Sequence, residues 1–405
     1  MLNNIRFFVS LGLQWVRASA LGCCRPEGSR TLIIPCDPWG VVGSRGDQAM
    51  ILSVLQHCRE RQIDILTDSP ATDAACRELK MNPLPQWNVP FDKWMRENAA
   101  RYSQVFILGA DVTDGVYGWV TAMKLLMFYD CFSRLGVETH YLGFSWSKTP
   151  SPWMHLVLPF LKKGLPLPVR DPVSLERLTH FTRHRPLVQV ADAAFCLHPR
   201  VSKRVLRYQS WVGAQKSAGK RVVAVNVHTM FNEAETKSVD WERAFAEVLF
   251  KVQAAKPDVV WLFVPHDNRP ASSDLAILSR LHRSFDSTHA CLVDEVMNAD
   301  EIKALVGSCD GLIAGRMHIS IAALGMGVPV FGLVYQGKFE GLWRHFGLSS
   351  STIIQPKTIL EGVAGVAVKV CQFVDDLFAL KSAVQLALSR VILLAEKNFK
   401  ESNES

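Results

Sequence analysis

Short runs of β-branched and other apolar residues alternate with amphipathic stretches along most of the chain. Thr31 to Cys36, Ile63 to Thr67, Gln104 to Gly109, Glu138 to Phe144 and Leu167 to Arg170 read as strands. Gln48 to Arg61, Phe91 to Tyr102, Trp119 to Leu135 and Trp153 to Lys163 read as the helices between them. The rhythm breaks near Cys196 to Lys220, where His198-Pro199-Arg200 leads into a basic, polar stretch. It then restarts with strands at Arg221 to Val227, Val259 to Val264, Ala290 to Val293, Gly311 to Ala314 and Val328 to Leu333. Val239 to Ala254 and Ser273 to His282 supply helices there, and the tail from Lys357 to Phe399 is helical. In the tail, Leu377, Leu380, Val384, Leu388 and Val391 recur at spacings of three and four. This alternation predicts an α/β protein of two Rossmann-like domains facing a cleft, at 31–200 and 201–355. A segment with helical patterning, 1–30, precedes them, and a helical tail, 356–405, follows.

Within 1–30, Phe8, Leu11 and Trp15 share one helical face, with Arg6 and Arg17 nearby. The expected role is a helix packed on its own domain; the alternative is an amphipathic helix at a membrane surface. Ala20-Leu21-Gly22-Cys23 has the look of a lipoprotein cleavage box, but Gln14 and Arg17 interrupt the apolar core of an export signal. No run approaches the roughly 20 apolar residues of a spanning helix. Hydrophobic residues make up 48% of the 405 and charged ones 20%, which excludes wholesale disorder. The net charge of +7 suits an anionic small substrate or a membrane surface, and no Lys/Arg block marks a nucleic-acid track. Ten cysteines without a CxxC pair exclude a zinc ribbon and suggest reduced thiols in a cytoplasmic protein.

In open parallel sheets ligands sit beyond the carboxyl ends of the strands, so the loops that follow strands matter most. After Gly311 to Ala314, Gly315 permits a tight turn and Arg316-Met317-His318 opens a helix. Amides at a helix start, the helix dipole and a guanidinium make an anion site there. Arg316 can hold a carboxylate or phosphate through two parallel hydrogen bonds, and His318 can donate a proton near neutral pH. The alternative is a solvated Arg316 and a capping His318. Lys338, after the next strand, is a second anion-binding candidate. In the first half, Gly43-Ser44-Arg45-Gly46-Asp47 precedes a helix; its glycines allow close backbone approach to a ligand. Asp47 reads as an N-cap or as a base for an acceptor hydroxyl. The loop is neither a Walker A loop nor a dinucleotide fingerprint. Arg170 follows a strand and either faces the cleft or pairs internally with an aspartate. His266, in Pro265-His266-Asp267, either binds a phosphate or belongs to a His-Asp turn; His228 is placed similarly.

Five segments, in order, resemble the polysaccharide pyruvyltransferase family. They are Gly46-Asp47, the strand ending Leu108-Gly109, and Arg170-Asp171-Pro172 with Ser174-Leu175; then come Ala191-Asp192-Ala193-Ala194-Phe195 and the stretch from Gly315-Arg316-Met317-His318 to Lys338. The resemblance spans roughly residues 31 to 348, with Ser44 where family members usually carry asparagine. It implies a GT-B-like fold, in which a C-terminal helix often returns to the first domain. It also implies transfer of a pyruvyl group from phosphoenolpyruvate to two hydroxyls of a sugar, giving a ketal. Arg316 and His318 would bind the donor, with His318 as acid. The implied partners are phosphoenolpyruvate and a glycan or lipid-linked sugar, with no cofactor, metal or nucleic acid. The expected location is cytoplasmic, with peripheral contact at the inner membrane face. The competing readings are a nucleotide-sugar glycosyltransferase on the same fold and a non-catalytic member of a polysaccharide assembly complex.

Overall fold

The computed structural model describes residues 2–21, 28–39, 41, 44–58, 62–68, 70–182, 185–229, 239–267, 269, 273–334 and 339–400. The chain forms two compact units: 1–42, 50–196 and 393–405 make the first, and 43–49 with 197–392 the second.

The first unit opens with helix α1 (Leu2–Ser19) and strand β1 (Arg30–Ile34), then α2 (Arg45–His57, of which it holds the residues from Met50 onward), β2 (Ile63–Leu66), α3 (Asp73–Glu78) and β3 (Asn82–Leu84). It continues through α4 (Phe91–Asn98), β4 (Tyr102–Ala110), α5 (Trp119–Arg134), β5 (Glu138–Phe144), α6 (Met154–Val157), β6 (Leu167–Val169), α7 (Pro172–Phe181) and β7 (Leu187–Gln189). The seven strands form one parallel sheet in the order β3-β2-β1-β4-β5-β6-β7. Leu32, Ile33, Ile65, Val105, Ile107 and Leu142 are buried in it, as expected for strands covered on both faces.

The second unit adds α8 (Lys203–Ser217), β8 (Arg221–Asn226), α9 (Val239–Ala255), β9 (Val259–Phe263), α10 (Leu275–His282), β10 (Ala290–Leu292), α11 (Ala299–Val306) and β11 (Gly311–Ala314). Then follow α12 (Met317–Leu324), β12 (Val330–Leu333), α13 (Phe339–Phe346), β13 (Ile353–Ile354), α14 (Pro356–Glu361), α15 (Val363–Asp375) and α16 (Leu377–Glu396), whose residues from Leu393 onward belong to the first unit. Its sheet is also parallel, in the order β10-β9-β8-β11-β12-β13. That order reverses between β8 and β11, which is where such sheets open a crevice for ligands. Val366, Val370, Phe373 and Val374 of α15 pack into this unit's core with Val223, Trp261 and Phe331.

Several elements differ from the sequence expectation. The presumed break contains the 15-residue helix α8, capped by Ser202; only Val205, Tyr208 and Val212 face inward, so its polar surface hid it. The long helix expected at Trp153 to Lys163 shrinks to α6 and a short 3₁₀ turn with Pro159 near its start. Strands β3, β7 and β13 were not expected. They are two- or three-residue sheet edges, too short for an apolar pattern, and β3 holds a proline, which an edge strand tolerates.

Helix α1 packs on the first unit through Leu11, Trp15 and Ala18. Trp15 Nε1 donates to Asp130 at 2.9 Å, and Phe8 stacks on Trp153. Ile5, Val9, Leu13 and Val16 on other faces are exposed. Contrary to expectation, one described stretch, Leu377–Phe399, is long and apolar enough to cross a membrane by length and composition. Its buried positions are Leu377, Val384, Val391, Ala395 and Asn398, while Phe378 and Leu386 are 86% and 88% exposed.

The tail is not one separate body. Up to Ile392 it belongs to the second unit, and from Leu393 onward to the first. There the Asn398 side chain accepts from Gly143 N at 2.7 Å and donates to Ala191 O at 2.8 Å. Phe399 stacks on His57. Replacing Asn398 by alanine strands a buried amide, which costs about 1–3 kcal/mol. Urea unfolding of Asn398→Ala is therefore expected to show a lower midpoint than the unaltered chain, with an unchanged slope.

Candidate active site

The carboxyl ends of β8, β9 and β11 converge on one buried carboxylate. Asp274 precedes α10, where a sequence reading takes it for an ordinary N-cap, yet its side chain makes no capping bond. It accepts instead from five N–H donors. Arg316 Nε and Nη2 approach at 2.8 and 2.7 Å, Asn226 Nδ2 at 3.1 Å, and the amides of His266 and Asp267 at 3.0 and 3.1 Å. Burial raises the Asp274 pKa and the Arg316 charge opposes that rise. With five donors facing it, the ionised form is the one this environment holds.

The fork of Arg316 is thus filled by the protein's own carboxylate. Its Nη1 also reaches Asp267 at 3.0 Å and His228 Nε2 at 3.2 Å, leaving the side chain 10% exposed. The expected solvated alternative is excluded, and so is a guanidinium held in reserve for a ligand alone. Asp267 is shared with Arg269, whose Nη2 lies 2.7 Å away. Burial disfavours the Asp267 charge, but hydrogen bonds from Arg269 and the charge of Arg316 outweigh it and hold the pKa low.

His266 is buried beside this network. Burial first, then the charges of His318 and Arg316, hold its pKa well below the ordinary imidazole range. That environment favours the neutral imidazole. Gly315 does not make a left-handed turn; its N–H donates to Asn226 O at 3.0 Å and prolongs the β8–β11 pairing.

Arg316 occupies the N-cap position of α12, and His318 is the second residue of that helix. Its ring lies against Gly46. A methyl group at Gly46 would stand 2.2 Å from His318 Nδ1, so glycine is needed for this approach. Residues 44–47 and Arg316 belong to the same, second unit, although 44–47 fall within the stretch expected to form the first domain, 31–200. Ser44 bridges Asp267 through the backbone, and the Gln48 amide accepts from Ala299 N at 2.8 Å and donates to Asn298 at 3.2 Å. The cap of α2 is Ser44, whose Oγ accepts from Asp47 N at 3.4 Å; Asp47 sits in the first turn and is not the N-cap. Arg45, the first residue of α2, is buried among these groups.

Arg170 lies in the first unit, 3% exposed, and takes the internal role. It donates to Asp192 at 2.8 Å and to Ser145 Oγ at 2.6 Å, while Asp171 caps α7. Gly43 and Lys338 lie outside the described residues. Sequence reasoning missed Asp274 and Asn226; a polar residue at the end of β8 and an aspartate just before α10 were the available signals, but nothing local says that they meet.

Two parallel α/β units, the second with its polar cluster at the sheet's reversal point, define a GT-B-type protein. The chain belongs to the polysaccharide pyruvyl transferase family, whose sequence profile matches residues 45–337, and it is a transferase. A putative UDP-N-acetylglucosamine 2-epimerase from Listeria monocytogenes shares the fold at 11% identity and a TM-score of 0.54, over 94% of this chain and 98% of that one. A glycosyltransferase from Rickettsia africae does so at 11% identity and a TM-score of 0.52, over 93% and 100%. Such low identities establish the architecture only. No curated protein matches the sequence.

Arg316→Ala would leave buried Asp274 without its counter-charge and Asp267 with Arg269 alone, at a cost of about 3–5 kcal/mol. A large drop in the chemical-denaturation midpoint is the expected result, in contrast to a simple loss of ligand affinity. His266 gives a pH signature. Its folded pKa is depressed, so below about pH 6.5 the unfolded chain takes up the proton first and stability falls with falling pH. Unfolding free energies of the unaltered chain and His266→Gln, compared between pH 7.5 and 5, should show a shallower acid-side loss in the variant.

Proposed function

We propose that this chain transfers a pyruvyl group from phosphoenolpyruvate to two hydroxyls of a sugar in a glycan or lipid-linked glycan precursor. The pathway would be exopolysaccharide or cell-surface polysaccharide synthesis. The observation that carries the reading is the contact of His318 with Gly46 beside Arg316, Arg45 and the neutral His266. It puts a candidate acid and an anion-attracting cluster at two helix starts.

In this reaction His318 protonates C3 of the donor, and positive charge develops at C2. One sugar hydroxyl adds there and loses its proton. The C2–O bond to phosphate then breaks, and the second hydroxyl closes the ketal and loses its proton. Of the two protons released, one restores His318 and the other leaves with phosphate. Asp47, in the turn beside Gly46, is the proposed base for a sugar hydroxyl, and Lys338 a further donor ligand. Arg316, held by Asp274, contributes a fixed guanidinium edge; Arg170 orders its own loop.

The proposed setting is the cytoplasm at the inner membrane face. The net charge of +7 and the exposed Ile5, Val9, Leu13 and Val16 of α1 support it.

Incubation with phosphoenolpyruvate and a panel of free and lipid-linked glycans should release phosphate and add a pyruvyl mass to one acceptor. His318→Gln keeps a hydrogen-bond donor but loses the titrating proton. Its turnover is expected to fall about 10²–10⁴-fold with donor affinity little changed. Transfer from a nucleotide sugar, with no reaction of phosphoenolpyruvate, would reject the proposal in favour of a glycosyltransferase.

A further inference from the structure

The Arg45 guanidinium is 4% exposed, and its Nε meets no hydrogen-bond partner. Among the described residues no carboxylate forms an ion pair with it. Burial pulls its pKa down, against the fields of Asp267 and Glu301. Neither carboxylate is available to it. Asp267 pairs with Arg269 and Arg316. Glu301 pairs with Arg200 at 3.3 Å and Arg204 at 3.4 Å, and accepts from Asn298 N at 2.8 Å. The other buried guanidiniums near strand ends are matched: Arg316 by Asp274 and Arg170 by Asp192. Arg45 alone of these three carries an unbalanced buried charge, which is costly unless a counter-ion joins it.

We infer that Arg45 is the receptor for a phosphate oxyanion, namely the phosphate of the donor and the orthophosphate that departs. This rests on the reaction proposed above. Arg45 begins a 13-residue helix, so the helix dipole adds to its charge. Its neighbour Gly46 lies against His318, the second residue of α12, so two helix starts meet here. The charges of Arg316 and Arg45 both act on the buried His266 imidazole. The donor has two anionic ends. Arg316 is already neutralised by aspartates, so the more highly charged phosphate goes to the unmatched Arg45. Orthophosphate should then inhibit in competition with the donor.

The test uses the full-length protein, with melting curves and calorimetric titrations of orthophosphate, phosphoenolpyruvate, pyruvate and pyrophosphate. Orthophosphate and phosphoenolpyruvate should stabilise the protein, and pyruvate should not. Arg45→Met removes the charge at similar volume. It should melt ~2–4 °C higher without ligand and bind orthophosphate roughly tenfold or more weakly. Arg45→Lys, which keeps a charge, should retain part of the affinity, and circular dichroism would verify that both variants fold. Undiminished orthophosphate affinity in Arg45→Met, or a lower melting temperature without ligand, would overturn the inference. Pyrophosphate binding much tighter than orthophosphate, with the same Arg45 dependence, would overturn the donor assignment in favour of an acceptor diphosphate. Normal turnover of phosphoenolpyruvate by Arg45→Met would overturn the receptor and leave the reaction standing. Arg45-dependent phosphate binding without pyruvyl transfer would do the reverse.

Discussion

The buried Asp274–Arg316 pair is the constraint on which the second unit's chemistry depends. One carboxylate gathers donors from the end of β8, the loop after β9 and the loop after β11. Those loops would otherwise be independent. Tying them together fixes where α12 begins, and hence where His318 is presented. It also buries His266 as a neutral ring and draws Asp267 onto the outer side of Arg316. Removing two charges from water is repaid only when geometry and additional hydrogen bonds are good, and both conditions are met here.

That neutralisation has a chemical consequence. A guanidinium saturated by two aspartates orients a ligand but supplies little net attraction. In the proposed reaction the net attraction comes from elsewhere: Arg45 of the second unit is buried and, among the described residues, pairs with no carboxylate. On that proposal the site separates two tasks: a rigid, balanced pair for geometry and an unbalanced charge for affinity.

The chain achieves this by lending short segments across its own sequence order. Residues 44–49 leave the first sheet's connection and join the second unit through Ser44, Gly46 and Gln48. Residues 393–400 make the opposite journey, and Asn398 satisfies Gly143 and Ala191 there. Each exchange depends on one or two polar side chains meeting backbone groups that would otherwise be buried without partners.

Long, strongly patterned elements were legible from the sequence. Strand β5 and strand β11 carry the expected limits, because apolar runs buried on both faces have no other stable setting. The Gly315-Arg316-Met317-His318 turn and the family were legible too, since helix starts and motif spacing are local properties. Helix α8, with three inward positions, and the edge strands β3, β7 and β13 were not. Their stability comes from the neighbours they pack or pair with, not from their own pattern. The partners of the charges were decided by tertiary structure alone. Arg316 meets Asp274 and Arg170 meets Asp192 across 42 and 22 residues, and Arg45 meets no carboxylate among the described residues. Charge pairing at such separations depends on which strand ends lie side by side, and local sequence carries no record of that.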